Sequence, residues 1–382
     1  MAKLFWWMLP LLCALLLAGC ELPQITPEAR IFLNLSLDYL GEYQLPQTEF
    51  ESTVVGGISG MAYDRKGDRI YALADDRTQP RFYTLHLQLD QSDPEHPTIK
   101  TISVEAVTFF QDAQAQPYST DQLDPEGIAL TPQGQLWISS EGVPNQNSLP
   151  ALLAFDRQGN WQQQLSLPSH FLAALSTEEN PNPPPHGIDD NRGFEALTLS
   201  PEGDRVFAAI EAPLQQDYPK EPSERGVYNR LLHYWIGEPQ SLLLSEHLYP
   251  IQPADILKGV NGLTEFLSID NGGHFLSLER SYSPLTGFAA QLFQIATATA
   301  TDTSSLDRLP TELTQIRPVQ KQPLLDLQQL KIPLHNLEGM MWGPLLADGS
   351  PSLVLVSDNN FEPEQPTQFL LLRVRQNPQL VS

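Results

Sequence analysis

Apolar positions along this chain come in short runs separated by turn residues, and the runs repeat. One pattern returns five times: a short apolar segment, a Gly-containing turn, a second apolar segment, and a closing acid. The third copy shows it most clearly. Glu195–Leu199, Arg205–Glu211, Leu231–Ile236 and Ser241–Tyr249 read as strands, and Ser200–Asp204 between the first two is a hairpin signal. The first copy offers Met61–Asp64, Arg69–Leu73, Phe82–Leu89 and Thr98–Phe110. The second offers Ile128–Thr131, Leu136–Ser139, Ala151–Asp156 and Trp161–Leu167. Anchored on Ser59, Glu126, Glu195, Glu265 and Glu338, the copies are spaced by 67, 69, 70 and 73 residues. No stretch holds a helical apolar stripe for three turns; Phe171–Ser176 and Leu324–Leu330 come nearest, and both are short.

Four antiparallel strands repeated around an axis predict an all-β fold, a β-propeller of five four-stranded blades. The fifth copy supplies three strands, ending with Gln368–Val374, and the missing strand is available in Arg30–Tyr43. Pairing of the N- and C-terminal strands would close the ring and hide two open sheet edges. A sixth blade without a visible motif is the alternative count. A pair of β-sandwiches, the other all-β solution, does not predict matching copies at constant spacing.

The first residues look different from the rest. Lys3 precedes an apolar run, Leu4–Leu17, broken only by Pro10, and the run ends Leu17-Ala18-Gly19-Cys20. That reads as a signal peptide over residues 1–19 whose end resembles a bacterial lipobox, so Cys20 is the expected lipidation site; an ordinary signal peptide that contains a Cys is the alternative. Residues 20–29 then form a short tether and 30–376 a single propeller domain, exported and anchored to the cell envelope. Each buried CH₂ of the anchor contributes ~0.8 kcal/mol. Both Cys of the chain lie in its first twenty residues, so the body holds no disulfide and no cysteine metal site.

The 382 residues include 46 Asp+Glu against 22 Lys+Arg, a formal charge of −24. Such a surface excludes nucleic acid as a partner. A hydrophobic share of 41% excludes a disordered chain, and 34 Pro favour loops and short elements. The closed ring is expected to be monomeric.

In a blade the first strand is innermost and the second runs back beside it, so the start of one and the end of the other share a channel mouth. Both acidic positions of the repeat map there. One ring is Glu126, Glu195, Glu265 and Glu338, with Ser59 in the first copy. The other is Asp75 or Asp76, Glu141, Glu211, Glu279 and Asp358. Crowded carboxylates cannot all stay ionised without compensation. Ca²⁺, which takes 6–8 oxygens from such residues, compensates naturally. Arg77 and Arg280 follow acids of the second ring, Arg192 precedes Glu195, and His335 precedes Glu338, which suits an anionic ester substrate. The expected roles are catalytic for Glu126, Glu195 and Glu338, and anion-binding for Arg77, Arg280, Arg192 and His335. The remaining acids, Asp75, Asp76, Glu141, Glu211, Glu265, Glu279 and Asp358, are expected metal ligands. The competing reading makes each acid structural, tied to a backbone N–H or a neighbouring Arg. Loops Val143–Pro150, Ala212–Val227, Asn359–Thr367 and Ser176–Arg192 gather at the same face.

No Gly-x-Ser-x-Gly elbow, phosphate loop, dinucleotide fingerprint or His-Glu-x-x-His occurs in the chain. The segments Gly56–Asp64 with Tyr71–Arg77, Asp124–Gly127 with Ser140–Gly142, Gly193–Leu197, Ser277–Arg280, and Asn336–Gly339 with Ser357–Asn359 resemble the phytase-like family, the esterase-like activity of phytase. The resemblance spans roughly residues 50–375 and implies a secreted or surface-attached propeller that hydrolyses phosphoesters or other esters. A non-catalytic binding or envelope-assembly propeller is the second expectation.

Overall fold

The computed structural model describes residues 31–143, 148–173, 184–219, 227–237, 240–251 and 260–376. The leader, Cys20 and the tether lie outside them, as do parts of the loops Val143–Pro150, Ser176–Arg192 and Ala212–Val227.

Strand β1 (Leu35–Leu45) is followed by a small hairpin, β2 (Thr48–Phe50) and β3 (Thr53–Val55). Blade 1 is β4 (Ile58–Asp64), β5 (Arg69–Ala74), β6 (Arg81–Asp90) and β7 (Thr98–Phe109). Blade 2 is β8 (Pro125–Leu130), β9 (Leu136–Ser140), β10 (Ala151–Phe155) and β11 (Trp161–Gln164). Blade 3 is β12 (Phe194–Leu199), β13 (Arg205–Ile210), β14 (Val227–Trp235) and β15 (Leu242–Ile251). Blade 4 is β16 (Val260–Ser268), β17 (His274–Ser283), β18 (Gly287–Ala296) and β19 (Gln320–Asp326). Blade 5 is β20 (Asn336–Trp342), β21 (Ser352–Asp358) and β22 (Thr367–Gln376), completed by β1 on its outer edge. The molecule is a five-bladed β-propeller, each blade an antiparallel sheet of four strands.

The closure is the one the sequence predicts. β1 runs antiparallel to β22 from Leu35↔Gln376 to Leu45↔Thr367. The pairing occupies the free edge of β22 and joins the chain's two ends within one blade. The strands β4, β8, β12, β16 and β20 neighbour one another in a ring around the axis. They are buried on both faces, whereas outer strands such as β11 alternate between half-buried and exposed positions. An inner strand therefore reads as a continuous apolar run and an outer one alternates.

The core is divided by blade. Five apolar clusters fill the five blade-to-blade interfaces. Between blades 1 and 2, Tyr71, Phe82, Phe110 and Phe155 follow one another with ring centroids 4.6–5.6 Å apart. Between blades 2 and 3, Phe171 stacks on Phe194. Of Phe171–Ser176 only residues 171–173 are described, and neither helix-like segment shows more than a single turn among the described residues. Ser169–Phe171 is a 3-10 turn, and Leu324–Leu330 is the end of β19 followed by a 3-10 turn at Leu327–Leu330.

A buried ionic group clamps blade 3 to the long loop after β18. Arg230 donates to both oxygens of Asp217 (2.7 and 3.2 Å), to Glu246 (2.7 Å) and to the Leu306 carbonyl (2.7 Å). His170 reaches the other Glu246 oxygen at 2.7 Å. With both partners of Arg230 fully buried, removing the cation leaves uncompensated carboxylates in a low dielectric. Arg230→Met should therefore cost about 3–5 kcal/mol in denaturant unfolding. A loss under about 1 kcal/mol would show that the clamp is ornamental to stability.

Candidate functional site

Each inner strand carries one irregularity near its start. The register slips between Ile58 and Gly60, Pro125 and Ile128, Phe194 and Ala196, Leu263 and Glu265, and Leu337 and Gly339. The extra residue of a bulge is left out of the ladder and its side chain is re-aimed. In blades 1, 2, 3 and 5 that residue is Ser59, Glu126, Glu195 and Glu338. In blade 4 it is Thr264. Where the residue after the bulge is glycine, the next strand lies against it: a Cβ on Gly60 would come within 2.9 Å of the Glu126 carbonyl oxygen.

The second tier is set by the partners of the inner-strand starts. Asp75 donates its amide to the Gly57 carbonyl, Glu141 to that of Asp124, and Glu211 to that of Gly193. Asp358 pairs with Asn336. In blade 4 the equivalent pair is Gly262↔Arg280.

Blade 4 thus departs from the sequence expectation by one residue in both tiers. Glu265 lies one position beyond the bulge, and its Oε1 accepts from the amides of Leu197 (3.1 Å) and Phe266 (2.9 Å). Glu279 is bound by the Tyr249 hydroxyl (2.6 Å), Asn261 (3.2 Å) and the Lys321 ammonium. Both acids are tied up in packing between blades, and Thr264 and Arg280 take their places at the mouth. Alignment on the identity of Glu265 hid this. The spacing of Gly193-Phe-Glu195 matches Gly262-Leu-Thr264, and anchoring on the glycine would have found it.

Two further expectations are corrected. Of the Asp75/Asp76 alternatives, Asp75 faces the cluster, whereas Asp76 accepts from Arg81 and from Thr78 (2.8 and 2.6 Å), which holds its carboxyl below the ordinary range against the opposing effect of burial. His335 is half-buried and its charged neighbour is Glu42 on β1, outside the cluster; burial lowers its pKa.

What converges on the mouth is a set of eight carboxylates: Asp75, Asp124, Glu126, Glu141, Glu195, Glu211, Glu338 and Asp358. Asp124 belongs here although its place in the Asp124-Pro-Glu126 motif was the sole hint of it. Three guanidiniums answer them. Arg77 grips Asp124, with Nε 2.7 Å from Oδ1 and Nη2 2.7 Å from Oδ2, and also reaches Asn191 at 2.8 Å. Arg280 Nη2 donates to Glu338 at 2.7 Å and its Nη1 lies 3.6 Å from Glu211. Arg192 stands 3.6 Å from the other Glu211 oxygen.

Burial and mutual repulsion set the electrostatics. Asp75, Glu126, Glu141 and Glu195 are pushed well above their ordinary values, first by burial and then by the neighbouring carboxylates of the cluster. Burial raises Glu338 to about 7 against the pull of Arg280, and Asp358 to about 6. For Arg280 burial disfavours the cation, but Glu338, Glu211 and Glu195 together outweigh it and raise its pKa. Among the described residues no donor hydrogen-bonds the carboxylates of Asp75, Glu126 or Glu195. Asp75, Asp124 and Glu126 each offer an oxygen, all within 4.8 Å of one another. The donor set is all hard oxygen, which fits Ca²⁺, Mg²⁺ or Mn²⁺ and disfavours soft metals.

A family model described as Phytase-like, esterase-like activity of phytase, matches residues 53–361. The chain belongs to this family. An uncharacterized secreted protein of Arthroderma benhamiae is 28% identical over 111 residues, 25% of this chain and 20% of that protein's length. The phytase-like propeller is also similar in shape to the endo-arabinase of Bacteroides thetaiotaomicron, at 11% identity and a TM-score of 0.38 over 84% of this chain and 94% of the other. The Dos1 propeller gives 10% identity and a TM-score of 0.34 over 83% and 68%. Neither likeness extends to chemistry.

The raised carboxyls carry a pH signature. In the folded protein Glu338 and Asp358 keep protons that the unfolded chain has released at its ordinary values of 4.5 and 3.8. Their stabilisation is full below those values and is lost as pH rises through about 6 and about 7. In chelator-treated buffer the melting temperature should fall between about pH 5 and about pH 8, and Glu338→Gln should flatten that fall. A melting temperature that rises over the same range contradicts the burial argument.

Proposed function

We propose that this phytase-like propeller is an exported hydrolase of phosphate or other esters, assisted at its acidic mouth by a divalent cation, with Ca²⁺ the best fit. The carrying observation is the trio of carboxylates beside Asp124, half-buried Asp75 with buried Glu126 and Glu195, that no donor among the described residues satisfies. Eight acids against three guanidiniums would repel an anionic ester, so added positive charge is needed before such a substrate can approach. Asp75, Asp124 and Glu126 would hold the cation. When bound, it supplies a polarised ester oxygen and a more acidic water. Glu195, with a raised pKa and no competing donor among the described residues, would serve as the general base at the site. Glu338 is held by Arg280, so Arg280 keeps its charge at the edge of the site where anionic character develops. Arg192, about one-third exposed, is free enough to steer the substrate.

Export is supported by the leader Lys3–Cys20 and by a relative that is named as secreted. No helix among the described residues is long and apolar enough to cross a membrane. Lipid attachment at Cys20 would then tether the propeller to the envelope, with a small anionic ester as its partner.

The test uses panels of phosphoesters and carboxylesters with and without Ca²⁺. Chelation should remove turnover, and Glu126→Gln should lower kcat/KM about a hundredfold. Ca²⁺ should raise the melting temperature of the wild type and not of Glu126→Gln. Turnover indifferent to both changes would overturn the cation mechanism. Cation-dependent stabilisation with no turnover on any ester would favour the non-catalytic binding reading.

A further inference from the structure

The opposite end of the channel holds a second site of different character. The inner strands run from the acidic mouth to a cavity of about 680 Å³, within the range typical of small-molecule sites. All five blades contribute apolar walls, through Met61, Ile128, Leu197, Leu267 and Met340. Its charged rim reverses the sign of the molecule. The lining includes Arg65, Lys66 and Arg157 against a single acid, Asp64, in a chain whose net charge is −24. Asp64 neutralises Arg157 at 2.9 Å. Lys66 is exposed, and its ammonium meets the Pro132 carbonyl at 3.2 Å, a neutral partner that leaves the charge uncompensated. Arg65 is exposed and makes no ion pair among the described residues. The entry of the chain is here too: Leu35, the first residue of β1, lines the cavity.

An apolar funnel with two spare cations at one side suits one ligand chemistry. We propose that this cavity binds an anionic amphiphile, an acyl chain seated among the inner-strand side chains with its carboxylate or phosphate head on Arg65 and Lys66. A nonpolar ligand would gain nothing from the cations, and a small polar anion would leave the walls wet. The site shares no residue with the acidic mouth, so its failure would leave ester hydrolysis untouched.

Trp342 lines the cavity, its indole N–H donating to the Ser268 carbonyl at 2.9 Å, and provides the probe. Bromododecanoate should quench the protein's fluorescence saturably, and Trp342→Phe should abolish that component. The charge reversal R65E/K66E, confined to exposed side chains, should weaken binding roughly tenfold or more, and uncharged bromododecanol should bind more weakly by a similar factor. A rise in melting temperature with dodecanoate in Trp342→Phe would show that the mutation removed the reporter and not the site. Quenching by brominated phosphatidylglycerol in phosphatidylcholine vesicles, and not by the free acid, would assign a membrane lipid as the source. No Trp342-dependent quenching by either probe, or equal affinity for the acid and the alcohol, overturns the proposal.

Discussion

Closing five sheets into a ring forces five inner strands to start within a few ångströms of one axis, and every property of the acidic mouth follows from that crowding. The strands can approach so closely because glycine follows the bulge in blades 1, 2 and 5, as Gly60, Gly127 and Gly339. The bulge then swings one side chain per blade out of the ladder. Four acids from the second tier arrive at the same place because β5, β9, β13 and β21 return beside their inner partners. No inner strand here could move away without opening an interface filled by one of the five apolar clusters. The fold therefore holds like charges together at a cost, and the raised carboxyls of Glu338 and Asp358 record that cost.

Blade 4 breaks the symmetry and gives the ring a direction. Thr264 replaces an acid in the first tier and Arg280 replaces one in the second, so one sector of the mouth is cationic. Across the axis, Arg77, paired with Asp124, is the one guanidinium beside Asp75, Asp124 and Glu126 among the described residues. A site with a positive edge and an electron-rich centre can hold a cation and orient an anion against it, which a uniform ring of acids could not do. The two ends of the channel are opposed as well, with acids at one and Arg65, Lys66 and Arg157 at the other.

Much of this was legible beforehand. Regular spacing of alternating runs predicted the blade count, and the orphan strand at the N-terminus predicted the closure, because both depend on local pattern and chain continuity. The tiers were legible in blades 1, 2, 3 and 5, where Ser59 in blade 1 and an acid in the others follows the glycine or its equivalent at a fixed offset. They failed in blade 4, where Glu265 and Glu279 stand one residue away from the positions that face the axis. Side chains in a strand alternate, so a slip of one residue sends an acid into an interface. Asp76 and His335 failed for other reasons: Asp76 is held within its own turn by Thr78 and by Arg81 at the start of β6, and His335 faces Glu42 on β1, which no local pattern connects to it.

Sequence by itself determined the number of blades, the family and the pool of acids, since periodicity and motif order are properties of the chain. Tertiary structure decided which acids meet, which are spent on backbone amides or cations between blades, and where Arg280 enters the ring. Those outcomes depend on bulge register and on contacts between residues tens to hundreds of positions apart, and only the closed ring fixes both.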